Sequence, residues 1–170
     1  MMYDIIYADP PWKYNFSATK NRDIENQYPT MTLQDIKDFK VPSADNSVLY
    51  LWATAPKLKE ALEVMEAWGF EYKTHGIWDK MWIGMGYWFR GQHELLLVGV
   101  KGKFSPPKQP DRVSSVFKQQ RGEHSEKPNA IYKMIDKWYP NKTKIELFAR
   151  NPRTGWTSRG YDIERLNPLI

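Results

Sequence analysis

The run Ile5-Ile6-Tyr7-Ala8-Asp9-Pro10-Pro11-Trp12 constrains this chain more than any other stretch. Its first half is apolar, β-branched or aromatic, the composition of a strand buried inside a sheet. Its second half stops that strand, because neither proline donates to a ladder and each restricts the residue before it. A stiff turn at the carboxyl end of a buried strand is where open α/β sheets hold their ligands. This one offers a carboxylate, carbonyls and an indole. A planar ring can stack on Trp12 while an exocyclic amine donates to Asp9 and to the Pro10 carbonyl. In the plainer reading Asp9 caps a turn and Trp12 fills a gap in the core.

The 170 residues suffice for one α/β domain with a sizeable core. Residues 13–30, with Lys13, Lys20, Arg22 and Tyr28, are polar and irregular, as lids and binding loops are. Thr32 is placed to cap a short helix through Leu33, Ile36 and Phe39. Residues 47–52 read as a second buried strand. A helix is expected from Pro56, with Leu58, Ala61, Leu62, Met65 and Trp68 as its apolar stripe and Lys59 paired with Glu63 on the wet side. Gly69 ends it. Strands follow at 70–78 and 94–100, joined by a segment with no helical period and too short for a parallel crossover, so the two are expected to pair antiparallel at a sheet edge. A third helix is read at 128–138 and a last strand at 144–149, leaving through Arg150 and Asn151. If strands 5–8 and 144–149 are neighbours, both of their polar turns open on one crevice.

Two loops stand out. Gly84-Met85-Gly86-Tyr87-Trp88-Phe89-Arg90-Gly91 is aromatic, and either stacks on bases or plugs the sheet. Between Lys101 and Lys127 lie seven basic residues (Lys101, Lys103, Lys108, Arg112, Lys118, Arg121 and Lys127) against Asp111, Glu123 and Glu126. With a formal charge of +5, that loop is an expected phosphate-contacting surface. Tyr14, Lys101, Lys103, Arg112, Lys118 and Arg121 are the candidate substrate contacts. The chain has no cysteine, which excludes disulfides and a thiolate nucleophile. His75, His93 and His124 lack metal-ligand spacing, so no metal is expected. There is no Gly-x-Gly-x-x-Gly fingerprint of a nicotinamide enzyme. Without a signal peptide or an apolar run long enough to span a bilayer, a cytoplasmic protein with no membrane partner is expected.

The order of motifs resembles the MT-A70 family of S-adenosylmethionine-dependent adenine N6-methyltransferases. It runs through Asp9-Pro10-Pro11-Trp12, Tyr28-Pro29-Thr30-Met31-Thr32, Leu51-Trp52 and His93-Glu94-Leu95-Leu96-Leu97-Val98-Gly99-Val100-Lys101-Gly102. It continues through His124-Ser125-Glu126-Lys127-Pro128 and Ile145-Glu146-Leu147-Phe148-Ala149-Arg150. The resemblance implies one Rossmann-like methyltransferase domain over residues 1–170. That domain has a mostly parallel sheet with an antiparallel edge pair, helices on both faces, and a circularly rearranged strand order with the catalytic strand first and the cofactor strand last. It implies that Asp9 and the Pro10 carbonyl, in the Asp9-Pro10-Pro11-Trp12 turn, hold the adenine amine, and that Trp12 stacks on the ring. Asp9, Arg150 and Asn151 are the expected contacts to S-adenosylmethionine. Asp162, in Gly160-Tyr161-Asp162, stands where the family often has a Gly-Asn-Glu or Gly-Asn-Gln triplet against the ribose. Lys101 would meet the substrate backbone or the cofactor carboxylate, and Glu94 and Glu126 would partner the basic loop.

The substrate so implied is a nucleic acid. DNA is favoured because the chain lacks the extra RNA-binding modules of the family's messenger-RNA enzymes. RNA is the alternative, and a non-catalytic partner of an active subunit is a further one. A homodimer or a partner subunit is allowed, since sequence choice must come from loops or from a second chain.

Overall fold

A computed structural model describes residues 1–14, 30–120, 122 and 126–160. Among these, seven strands form one sheet in the order β5-β3-β4-β2-β1-β6-β7. The strands are β1 (Tyr3–Ala8), β2 (Ser43–Thr54), β3 (Glu71–Asp79), β4 (His93–Lys101), β5 (Val116–Lys118), β6 (Lys144–Leu147) and β7 (Thr157–Arg159). Three α-helices accompany them: α1 (Leu33–Asp38), α2 (Leu58–Ala67) and α3 (Asn129–Trp138).

Every strand but β4 runs in the same direction, and β4 is antiparallel to both of its neighbours, β2 and β3. The expected antiparallel pairing of residues 70–78 with 94–100 is thus present, and so are the first and last core strands as neighbours. Two short strands extend the sheet beyond the reading from sequence. β5, inside the basic loop, pairs outside β3, and β7 pairs outside β6.

Strand alternation divides the core in two. Ile6, Ala8, Leu49, Leu51, Leu95, Leu97, Ile145 and Leu147 face α1 and α2, which contribute Ile36, Ala61, Val64 and Met65. Ile5, Tyr7, Val48, Tyr50, Trp52 and Leu96 face α3, which contributes Ile131, Tyr132 and Ile135. A register shift between Tyr3 and Ile5 resets which β1 side chains point to which face.

The helix starts follow local chemistry. Thr32 and Asp35 form a reciprocal capping box on α1. A short 3-10 turn, Ala55–Lys57, precedes α2, because Pro56 is accommodated only before the regular hydrogen-bond ladder begins. Two expected details differ. Leu62 is 36% exposed while Val64 takes the buried place, and Glu63 faces Lys37 of α1 rather than Lys59.

The chain reaches β2 from β1 through α1 on one face, and enters β6 through α3 on the other. The carboxyl end of β1 is therefore a topological switch point, where the covering helices diverge and a crevice opens. Among the described residues no helix is long and apolar enough to cross a membrane.

Candidate active site

Asp9 sits in that crevice. It follows Ala8, which pairs with Leu51 of β2 on one side and Leu147 of β6 on the other. The prolines then fold the chain tightly: the Trp12 N–H donates to the Pro10 carbonyl at 2.8 Å, an inverse γ-type turn around Pro11. The Pro11 carbonyl accepts from Met31 N–H at 3.0 Å, which ties the turn to the start of α1. A carbonyl oxygen has two lone pairs, so the Pro10 oxygen keeps one for a ligand.

Lys127, just before α3, reaches down to this turn. Its Nζ lies 2.8 Å from Asp9 Oδ2 and 3.1 Å from Glu94 Oε2, and 5.5 Å from the centre of the Trp52 ring. Lys80 Nζ lies 3.3 Å from the other Glu94 oxygen. Asp9, Lys127, Glu94 and Lys80 thus alternate in sign along the rim, drawn from the end of β1, the approach to α3, the start of β4 and the end of β3. The side chain of Lys127 is 8% exposed, that of Glu94 13% and that of Asp9 26%, so the acid nearest the crevice is also the most open. No described residue donates to Asp9 Oδ1.

Charge follows burial and neighbours. Burial raises the Asp9 carboxyl above its ordinary value, against the opposing pull of Lys127 and a smaller one from Arg150. Burial would raise Glu94 too, but Lys127 and Lys80 overcome it and its pKa is lowered. Burial would lower Lys127, yet Asp9 and Glu94 together raise it, so it keeps its charge far into alkaline solution. A depressed carboxyl stabilises the fold above its unfolded pKa and ceases to do so as pH falls through the folded value. Glu94→Gln is therefore expected to flatten the acid side of the stability curve. Melting temperatures measured from pH 7 down past the ordinary glutamate value check this: wild type should lose the more of the two.

Beneath the ion pairs lies a floor of aromatic rings. Tyr7 OH accepts from Trp52 Nε1 at 2.6 Å, and its ring centre is 4.5 Å from Tyr132 and 5.9 Å from Trp156. Tyr132 OH donates to Glu146 Oε1 at 2.8 Å, and the Arg153 guanidinium lies 3.5 Å over the Tyr132 ring. Trp52 of this floor lies under Lys127, so the ion pairs rest on rings of low polarity, where their electrostatics are stronger than in water.

The structure sorts the expected site residues into groups. Asp9, Pro10, Pro11, Arg150 and Tyr14 gather at the crevice. Tyr14 OH lies 2.7 Å from Thr54 Oγ1, and burial pushes its phenol up to about 12. Asn151 is exposed two positions beyond Ala149. Trp12 is placed otherwise than expected. Its indole N–H donates to the Trp52 carbonyl at 3.1 Å and only 6% of it is exposed, so its ring fills the core instead of offering a stacking face. Lys118 ends β5 beside Asp79, on the same rim but beyond β3.

Lys101, Lys103 and Arg112 are not brought together with Asp9. Glu94 pairs with Thr54 and Lys101 with Ser47, seven rungs apart, so the two ends of β4 are separated by about 23 Å. There Lys101 Nζ donates to Ser43 Oγ, and the Lys103 N–H donates to Asn46 Oδ1. Arg112 donates to the Pro107 carbonyl beside Asp111, which pairs with Lys137 in the last turn of α3. Arg121, His124, Tyr161 and Asp162 lie outside the described residues, as does Tyr28.

Lys127 and Glu94 are the participants that the sequence reading did not place in the site. One signal pointed to Glu94. An antiparallel strand begins where its parallel neighbours end, so the first residues of 94–100 had to lie on the rim with Asp9.

Past β6, Phe148 takes the left-handed conformation at φ 61° and packs against Phe39, turning the chain so that Arg150 returns to the crevice. Gly160 lies against this turn. A Cβ there would overlap the Ala149 carbonyl oxygen and come 2.6 Å from the Ala149 nitrogen. Gly160→Ala is expected to destabilise the fold by about 1–3 kcal/mol through overpacking and to weaken cofactor binding by displacing Arg150. Thermal melts and cofactor titration read the two effects separately.

The chemistry of the donor set fits the amino-acid end of S-adenosylmethionine, which needs an acceptor for its ammonium and a cation for its carboxylate: Asp9 and Arg150 are the residues of this rim that would supply them. Three histidines, aspartates or glutamates grouped to hold a metal do not occur among the described residues.

Comparison with known proteins agrees with this chemistry. The chain is 40% identical to "Type II methyltransferase M.MunI" of Mycoplasma sp over 95% of its own length and 78% of that protein. It is 31% identical to "Putative N(6)-adenosine-methyltransferase MT-A70-like" of Medicago truncatula over 93% of this chain and 26% of that one. It is 29% identical to "N(6)-adenosine-methyltransferase catalytic subunit METTL3" of Homo sapiens over 98% of this chain and 29% of that one. It therefore spans most of the bacterial relative and between a quarter and a third of the plant and human ones. The MT-A70 family profile matches residues 3–162, and with it the chain belongs to the MT-A70 family as an S-adenosylmethionine-dependent adenine N6-methyltransferase.

Proposed function

We propose that this enzyme methylates N6 of an adenine held within a polynucleotide and presented to Asp9 as an unstacked base. The observation that carries the reading is the Asp9 carboxylate kept charged by Lys127 at the mouth of the β1 crevice, with Oδ1 turned to no described donor. The N6 lone pair is delocalised into the purine and is a poor nucleophile. Acceptors at Asp9 Oδ1 and the Pro10 oxygen hold both amine hydrogens and favour the pyramidal nitrogen. S-adenosylmethionine, when bound, would supply the methyl group on a sulfonium centre that leaves as a neutral thioether, and the proton lost from N6 would pass by way of Asp9 Oδ1 to solvent. The chain's part is positioning and electrostatics: Lys127 fixes the Asp9 rotamer and charge, Glu94 and Lys80 fix Lys127, and the aromatic floor lowers the polarity beneath them. A paired base cannot enter such a crevice, so a duplex must extrude its adenine, whereas a single strand escapes that cost.

Two observations bear on the polymer. The plant and human relatives are named for adenosine, which favours RNA over DNA. M.MunI, more similar than either, is named a type II methyltransferase, which names no polymer and leaves DNA as the other reading. The deciding experiment offers labelled S-adenosylmethionine with single- and double-stranded DNA and RNA oligonucleotides of one sequence. N6-methyladenine is the expected product, and the preferred polymer selects between the two readings. No transfer to any of them would overturn the proposal.

A further inference from the structure

Between β3 and β4 the chain rises from the active-site rim as a short finger. Its base is fixed: Lys80 N–H donates to the Gln92 carbonyl at 2.9 Å, and Gln92 Nε2 and the Met81 N–H both donate to Asp79 Oδ1 at 2.8 Å. Its shaft is held by Gly84 N–H to the Gly91 carbonyl, Gly91 N–H to the Met85 carbonyl, and Arg90 Nε to the Gly84 carbonyl. The turn at its end is tight, for a Cβ on Gly86 would overlap the Phe89 carbonyl. At that end Tyr87 is 92% exposed, Trp88 95% and Phe89 90%. Three adjacent aromatic residues on a braced turn are not a plug over the sheet, the other use that composition allowed. A patch of this kind marks a binding surface.

We propose that the Tyr87-Trp88-Phe89 tip stacks on the nucleobases flanking the target adenine and holds that adenine out of its stack. The inference rests on the polynucleotide reading above and adds the residues that separate the target from its neighbours. Position argues for it. Lys80 at the finger's base pairs with Glu94, which pairs with Lys127, which pairs with Asp9, so finger and site share one rim. The seven residues from Lys80 to Tyr87 reach at most ~25 Å, the span of a few nucleotides. Charge argues the same way. From Lys80 to Gln92 the chain has two cations, Lys80 and Arg90, and no acid, and Lys118 stands on the neighbouring strand end. A second copy would present the same basic rim, whereas a nucleic acid brings phosphates to the cations and faces of bases to the rings. Stacking on base faces needs no particular sequence, and an exposed aromatic residue is suited to it.

The test measures affinity for oligonucleotides carrying one adenine, with natural or abasic residues on either side of it. Wild type, Trp88→Ala and Trp88→Phe are compared, with sedimentation run in parallel. Trp88→Ala is expected to bind the natural oligonucleotide roughly 5- to 100-fold more weakly, with cofactor affinity unchanged, while Trp88→Phe stays near wild type. With abasic flanks the difference between wild type and Trp88→Ala should collapse, the signature of a contact to those bases. Equal affinity of the two proteins for the natural strand, or the same loss with and without flanking bases, would overturn the proposal. So would a wild-type dimer that Trp88→Ala turns into a monomer, which would assign the tip to a contact between copies. Wild type that shows the flank-dependent loss yet transfers no methyl group would leave the stacking intact and sink the catalytic reading instead.

Discussion

Asp9→Asn should slow methyl transfer by on the order of 10²- to 10³-fold, the scale on which loss of a single preorganised polar group acts in other enzymes. The substitution keeps the size and planarity of the side chain. What it removes is the negative charge facing Lys127, together with one of the acceptors that hold the amine hydrogens. The Pro10 carbonyl stays, so residual activity is expected. Single-turnover transfer at saturating cofactor gives the comparison, and a melting curve confirms the fold. A variant that retains wild-type single-turnover rate would remove Asp9 from the chemistry. A conformationally intact variant that fails to bind the cofactor would place its main role there.

Lys127→Met has the second large effect, and its signature is different. Methionine fills the volume of the lysine stem but supplies no cation, so Asp9 and Glu94 face each other with nothing between them. Breaking a buried pair costs about 3–5 kcal/mol, and the partial opening of Asp9 to solvent puts this case at the lower end. The sign for activity follows from Asp9. Its pKa is already raised by burial, so the active carboxylate is present above the raised value and lost as pH falls through it. Without Lys127 that value rises further. The acid limb of the kcat profile is expected to move to higher pH, and the rate at neutral pH to fall on the order of 10²-fold. Because Asp9, Glu94 and Lys127 titrate together, the limb reports the cluster and not a single residue. An acid limb that stays in place would show that Lys127 does not govern Asp9.

Elements whose signal is local were legible in the sequence. The apolar run of β1 and its double-proline stop, the Thr32 cap, and the helix read at 128–138 follow from side chains a few residues apart. The pairing of β3 with β4 followed from the shortness of their connection. Less accessible was anything that depends on which residues meet across the sheet. Lys127 looked like one cation of a basic loop, and only the descent of the chain into α3 on the Tyr7 face brings it onto Asp9. Lys101 looked like its equal, yet the reversed direction of β4 carries it to the far end. Trp12 carried an ambiguous signal, since an indole after a proline turn suits either a ligand or a core, and the Trp52 carbonyl decided for the core. β5 and β7 are three residues each, too short for any alternation to register.

The placement of β1 has a consequence for how the protein is made. It is made before the other six strands of the sheet, yet one of its flanks is closed by β6, which begins at Lys144. At ~5–20 residues per second, the ribosome needs roughly 7–27 s after Ala8 before that partner exists. Once β2 has been made, the nascent strand has that partner on one flank and an open row of backbone donors and acceptors on the other until β6 arrives. Lys127, the counter-ion of Asp9, lies 118 residues further along the chain. Shortened products that end before Lys127 therefore carry the acid without its counter-ion, and the last third of the chain decides when Asp9 becomes part of a working site.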